Sequence, residues 1–437
     1  MNINKPTAYI DSAQMALFRM LFGFLLAAET GGAILTGWVR RGLVEPDFTF
    51  TFIGFEWLRI FNGPFMYGWF AVMALLGIAV MLGWRYRLSL GFFTFMWTIS
   101  YLMQKSHYNN HYYLLILLCL LMLLVPAHSW ASLDARRDAR IRALAIPAWT
   151  RDIIILLLGI VYTYAAIAKV QTDWLSGDNT AMWFNAKKGM PIIGSILTIS
   201  WLPKFVAWAG FLFDLLIIPL LLWRPTRWLA VGFAIVFHIF NAAVFHIGIF
   251  PFLMLGTLFL FFPSGKIRER FFPKKPKADI NTIVSPIGKW TIPLALFFLV
   301  QLTLPLRHHL LPGDVNWTEE GHRMAWRMML RYKHSKGTVY ATIDNGPRIK
   351  VPHTDHLSRS QARKLFTHPD IAWQYVQWLK QNADTLFPEK EAGQVLAVYF
   401  DSKVALNGHT YKPLIDPEVD MTQAKWSMWK RSPWILD

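Results

Sequence analysis

The sequence predicts a polytopic α-helical membrane protein of about nine transmembrane helices, followed by a C-terminal extracytoplasmic α+β domain. Three observations carry this. Apolar residues make up 54% of the 437-residue chain and only 16% are charged, against roughly 25% in soluble proteins. The apolar residues fall in long uncharged runs separated by short basic ones. After residue 305 the pattern changes, with no further run long enough to span and charges of both signs interspersed. These features exclude a soluble enzyme, a disordered chain and a disulfide-stapled secreted domain. The lone cysteine, Cys119, lies inside an apolar run, so no internal disulfide, redox pair or cysteine zinc site is expected.

A membrane span needs about 20 mostly apolar residues. The stretches 14–36, 65–83, 88–104, 112–130, 152–170, 203–223, 228–245, 249–263 and 286–305 approach or meet this length. The first is too long for a signal-peptide core and carries Glu29, so it is expected to stay. Pro251 predicts an irregular start to the short eighth span.

Lys and Arg in short loops set orientation. One alternating set of loops holds 15 cations, from Arg85 through the stretch 266–277, and the other holds seven, from Arg40 to Lys204. The richer set is read as cytoplasmic. That places the N-terminus in the cytoplasm and residues 306–437 outside a bacterial inner membrane. The net charge of +17 then belongs largely to topology rather than to nucleic acid. In the tail, 338–343 alternates like a strand, Asp344-Asn345-Gly346-Pro347 is a turn, and 348–351 follows as a second strand. The stretch 370–387 reads as an amphipathic helix with Ile371, Tyr375, Trp378 and Leu379 on one face. Two more strands are expected over 395–400 and 403–406, before the Asn407-Gly408 turn. The division expected is 1–305, carrying the active site, and 306–437 outside.

Ionisable residues inside a bilayer are costly and mark candidate sites. They are Glu29, the 105–111 cluster, Lys169, Asp173, Asp214, His238 and His246. The Lys105 cluster, Lys169, Asp173 and His246 fall at the outer ends of their helices, beside the outer domain. A lysine taken out of water loses its proton more readily, and its neutral amine can serve as a base. The simpler reading of Lys169 is a snorkelling residue or an ion pair with Asp173. His107 and His111 have the spacing of two metal ligands on one helical face, but no third ligand follows, and no metal is expected. A hydrogen-bonded cap is the simpler role for His107, Asn109, Asn110 and His111. His238 and Asn241 stand one turn apart in span seven and suit interhelical hydrogen bonds. The many Trp and Tyr residues read as interfacial belts.

Five ordered segments resemble the vitamin K-dependent gamma-glutamyl carboxylase family. Lys105-Ser-His-Tyr-Asn-Asn-His111-Tyr-Tyr-Leu is similar to its Asn-Asn-His-x-Tyr-Leu segment, and Ala168-Lys169 through Asp173-Trp174-Leu-Ser-Gly177 to its catalytic-lysine segment. Phe237-His238-Ile-Phe-Asn241 through Gly248-Ile-Phe250 resembles its His-x-x-Asn and Ile-Gly-x-Phe stretch. Leu304-Pro-Leu-Arg-His308 through Asn316-Trp317-Thr318 is similar to the start of its lumenal domain. Ile415-Asp-Pro-Glu-Val-Asp420 through Trp426 and Arg431-Ser-Pro-Trp434 resembles that domain's end. The likeness is to short, bacterial-type members with the horizontally transferred transmembrane (HTTM) domain.

The resemblance implies a reaction. A base deprotonates vitamin K hydroquinone (or menaquinol), oxygen adds, and the resulting alkoxide takes a proton from a glutamate Cγ. The carbanion attacks carbon dioxide and the quinone leaves as its 2,3-epoxide. Lys169 matches the base, and His111 the group that stabilises charge, with Asn109, Asn110 and Trp326 at the glutamate. Asn241, His238, His308, Met328 and Met329 fall around the quinone. The co-substrates implied are the quinol, O2 and CO2. The partners implied are a glutamate-containing peptide or protein, the lipid bilayer and a quinone reductase, with no nucleic acid. The segment from His322 to Met329 lacks the family's tyrosines and the acidic residue after its tryptophan. Two other readings therefore stand beside carboxylation: quinol epoxidation put to another use, and a quinone- or lipid-binding protein without catalysis.

Overall fold

The computed structural model describes residues 9–191, 193–245, 247–278, 288–388, 390, 391 and 393–437. A short strand β1 (Tyr9–Asp11) leads into α1 (Ala13–Leu35), α2 (Phe65–Leu82), α3 (Tyr86–Met103) and α4 (Asn110–Leu124). Strand β2 (Ala145–Pro147) pairs antiparallel with β1 and precedes α5 (Trp149–Ala168), α6 (Leu202–Leu222) and α7 (Arg227–Phe245). Next come α8 (Phe250–Thr257), α9 (Ser264–Phe271) and α10 (Thr291–Thr303).

Among the described residues, six helices are long and apolar enough to cross a membrane. The stretch Phe250–Phe261 meets α9 at a bend of 112°, and the pair would make a seventh span. The nine expected spans are therefore not all met on length and composition. Helix α4 has only 15 residues, and α3 is diluted by Arg87, Ser89, Thr94, Thr98 and Ser100. Both nevertheless connect the same two layers of loops. At one end, Arg19 donates to the Ala131 carbonyl at 2.6 Å, Asp134 accepts from the backbone of Arg85 and Tyr86, and Asp11 pairs with Lys275 at 2.7 Å. At the other end, Gln104 donates to the Gly42 carbonyl at 2.9 Å. The bundle's outer faces carry exposed apolar side chains such as Leu75, Phe205, Val236 and Leu296, as lipid contact requires.

Without water to drive helices together, close packing takes over, and small residues permit it. A Cβ on Gly23 of α1 would lie 2.3 Å from the Met81 nitrogen, and one on Gly77 of α2 2.5 Å from the Ala27 nitrogen. No larger residue fits that crossing.

The C-terminal region forms a four-stranded antiparallel sheet with order β4-β3-β5-β6, built from β3 (Lys333–Ile343), β4 (Ile349–Val351), β5 (Leu396–Leu406) and β6 (Lys412–Pro413). Val339 faces Val351 on one side and Phe400 on the other. The two strands expected over 395–406 are one continuous strand, because β5 pairs with β3 along its whole length. Helices α11 (Arg359–Leu365) and α12 (Pro369–Gln381) cover the sheet, with Ile371, Tyr375 and Leu379 buried in its core. Asn407 (φ 48°) and Gly408 (φ 84°) make the turn after β5.

The two cores interpenetrate. Phe48 and Phe50, from the loop after α1, enter the sheet domain's core, where Phe48 stacks on Trp378 at 4.7 Å. In return Trp326 enters the helical core and packs on Tyr113 at 5.3 Å. The contact is locked by Asp370, which binds Lys105 at 2.8 Å and Arg323 at 2.6 Å, with all three largely buried. Burial pushes the Lys105 amine down to about 8 against the pull of Asp370. Burial also pushes the Asp370 carboxyl up, but Arg323 and Lys105 outweigh it and hold the group well below the usual carboxylate range. Asp370→Asn should cost about 3–5 kcal/mol, since it leaves buried cations uncompensated; thermal unfolding in detergent measures it. The group's folded value is depressed, so its contribution is complete above about pH 3.9, its unfolded value, and fades only below that.

Candidate active site

Lys169 is the C-cap of α5 and only 6% exposed. Its Nζ donates to the carboxylate of Asp214 on α6, itself 5% exposed. The expected partner, Asp173, is turned the other way and accepts from Asn407 at 2.9 Å, with His409 at 3.2 Å. The chain leaves α5 at Lys169 and re-enters a short helix at Thr172, which swings Asp173 toward the sheet domain. Trp174 lies under the amine, with its ring centroid 5.2 Å from Nζ. Its indole donates to the Ala207 carbonyl at 2.9 Å, which fixes the ring against α6. Ala168, Trp174, Ala207, Met329 and Leu330 form one apolar cluster around the pair.

His111 lies in the first turn of α4 and stacks on Phe250 at 3.8 Å. His238 of α7 meets the same Phe250 edge-on at 6.2 Å, and its Nε2 lies 3.3 Å from the Tyr162 hydroxyl of α5. Tyr162 also packs edge-on at 5.9 Å against Phe213, the residue before Asp214. Polar groups thus run from Lys169 through Asp214, Tyr162 and His238 toward His111, inside the bundle. Phe250 is held in place by Glu29, which accepts from the Ile249 amide at 3.3 Å just below the Gly248 turn.

His107 and His111 do not share a helical face. Tyr108 and Asn109 are extended and break the helix between them. His107 instead lies 3.2 Å from Ser360 of α11 and packs on Trp38. Asn109 is the N-cap of α4, its side chain accepting from the Tyr112 amide at 2.8 Å. Asn110 is buried, accepts from the Tyr108 hydroxyl at 2.7 Å, and donates to the Arg327 carbonyl at 3.2 Å. His246 falls outside the described residues.

The segment after α10 joins the two halves. Arg327 donates to Asn316 at 3.0 Å, and Asn316 to Gln171 at 2.7 Å, two residues beyond Lys169. Met324, Trp326 and Met329 all have positive φ, between 56° and 62°. Such conformations are strained for non-glycine residues and persist where surrounding contacts impose them. Met329 reaches the Lys169 cluster, whereas Met328 is half-buried beside it. Trp326 is 1% exposed. His308 sits in the 3-10 turn Leu304–Leu310 and backs onto Gly321, where a Cβ would come within 2.8 Å of His308 Cα. Asn241, one turn beyond His238, is half-buried.

Sequence reasoning marked Asp214 as a candidate without naming its partner, and assigned no role to Gln171, Asn316 or Arg327. Asp214 carried a signal, since an acid in mid-span demands a cation nearby. It also missed Glu319, His322 and His368, whose ligand atoms lie within 4.8 Å of one another. Distance alone would suit a metal ion. The Glu319 carboxylate, however, is already bound by Arg331 at 2.5 Å and Lys333 at 2.8 Å, and Lys364 donates to His368 at 3.2 Å. Burial pushes the Glu319 carboxyl up, but these cations and the two histidines hold it well below its usual range. A dication would have to compete with all of them.

Residues 7–265, more than half of the chain, match the HTTM domain model. Residues 289–437 match the model of the vitamin K-dependent gamma-carboxylase lumenal domain. No solved structure matches the chain. With both parts in this order, the chain belongs to the vitamin K-dependent gamma-carboxylase family.

Proposed function

We propose that this protein is a membrane enzyme that couples oxygenation of vitamin K hydroquinone, or menaquinol, to its 2,3-epoxide with carboxylation of glutamate side chains. The observation that carries the reading is the line of polar groups from buried Lys169 to half-buried His111, clasped by the segment 316–330. Lys169 takes the quinol proton, with Asn241, His238, His308, Met328 and Met329 around the quinone. His111, with Asn109, Asn110 and Trp326, serves the glutamate side, where charge develops in a dry site and fixed donors act most strongly. O2 and CO2 are the other co-substrates. A glutamate-containing peptide or protein, the bilayer that delivers the quinol, and a quinone reductase that recycles it are the partners. The reading divides the chain near residue 305 into a membrane domain and an outer domain.

A purified preparation given reduced vitamin K should form epoxide, and should form carboxyglutamate when a glutamate peptide and bicarbonate are added. Epoxide without carboxyglutamate from any peptide would favour epoxidation alone. That second reading draws on Trp326, which is packed against Tyr113 rather than open to a substrate. Absence of both products would sink the enzymatic reading.

An inner N-terminus and an outer C-terminal domain require an odd number of crossings. Seven satisfies this, and so does nine, because α3 and α4 form a there-and-back pair. Cysteines introduced at exposed positions of the outer domain should react with an impermeant reagent in intact cells. Labelling only after inner-membrane permeabilisation would reverse the orientation.

A further inference from the structure

The Lys169 Nζ donates to the buried Asp214 carboxylate, and as an ammonium it has no lone pair with which to take a proton. The Lys169–Asp214 contact therefore bears directly on how this base works. Both side chains are more than nine-tenths buried, and Asp214 makes the contact from a different helix. Asp173, the nearer acid in sequence, is engaged by Asn407 and His409. Among the described residues, Tyr162 of α5 packs edge-on against Phe213, next to Asp214, at 5.9 Å and is paired with His238 of α7. Trp174 lies against the amine, its ring centroid 5.2 Å from Nζ.

We propose that Asp214 is the positioning residue of the base and the final acceptor of the quinol proton. This rests on the reading of Lys169 as the group that meets the quinol. As the hydroquinone O–H bond breaks, its proton forms a new N–H bond on Lys169. One of the ammonium's own N–H bonds breaks at the same time, and that proton forms an O–H bond on Asp214. The amine ends as it began, as an ammonium, now beside a quinolate anion and no longer neutralised by Asp214. Charge balances: a cation and an anion before, a cation and an anion after, with the negative charge moved onto the quinol oxygen. The ammonium thus stabilises the anion that will react with oxygen, which a neutral lysine acting alone would do only after taking the proton itself.

The test compares two pH profiles on the full-length protein in detergent. One is kcat for epoxide formation. The other is the rate at which Lys169 is acylated by acetic anhydride, read by mass spectrometry of its peptide, which reports the neutral amine. In the wild type, activity should persist at least about two pH units below the midpoint of Lys169 acylation, a separation on the scale of buried-group shifts. In Asp214→Asn the two midpoints should coincide, because the lysine must then be neutral to act. Asp214→Glu should restore the separation. Coincident midpoints in the wild type, or an unchanged separation in Asp214→Asn, would overturn the proposal. If the wild type forms no epoxide, the function is wrong, but acylation still decides the pairing. Asp214→Asn should then speed acylation at neutral pH at least about tenfold by freeing the amine, and an equal rate in the two proteins would refute it. The wild-type comparison needs no variant to fold.

Discussion

Lys169→Ala should lower quinol epoxidation by about 10²–10⁴-fold, the range for losing a positioned general base. A small amine added to the assay should restore part of the activity, since the deletion leaves room beside Trp174 where the side chain lay. The variant also strands Asp214 as an unpaired buried acid, and breaking such a pair by removing one partner costs about 3–5 kcal/mol. Lys169→Ala/Asp214→Asn is the control, because it removes both charges. It should recover thermal stability without recovering epoxidation. Full activity in Lys169→Ala would reduce the residue to a structural ion-pair partner, and amine rescue is the readout that a structural role would not produce.

His111→Ala should separate the two half-reactions. If His111 serves the developing carbanion, its loss should cost carboxylation about 10²-fold or more, the scale for one charge-stabilising group, while epoxide formation survives. Both products are measured on one preparation with a short glutamate peptide. The geometry makes this a demanding test, because His111 shares Phe250 with His238, and His238 is bound to Tyr162 near Asp214. Equal loss of the two products would place His111 on the quinol side of that line. His111→Asn keeps a polar group and tests whether simple loss of stacking on Phe250 explains the effect.

The helical class and the outer position of the sheet region were legible from composition, because apolar runs and loop charges act locally along the chain. So were the turns at Asp344-Asn345 and Asn407-Gly408, where positive φ selects the residue types that tolerate it. Pro251 falls in the first turn of α8, where its missing N–H costs nothing, so the helix starts regularly rather than irregularly as expected; the N-cap at Asn109 follows from its place before an apolar run. Lys169 and His111 stood out as polar residues where a bilayer makes them costly. Helix pairing was not legible. Nothing in the spacing of Lys169, Asp173 and Asp214 says that α5 and α6 bring the distant acid into contact while the near one turns to Asn407. The same holds for Asp370, which binds Lys105 across 265 residues of chain, and for Glu319, whose cations are Arg331 and, at the start of β3, Lys333. Local sequence determined the helices, their order and the ionisable groups they carry. Only the tertiary structure decided which charges meet, because burial makes an unpaired charge so costly that packing selects partners by position in space, whatever their distance along the chain.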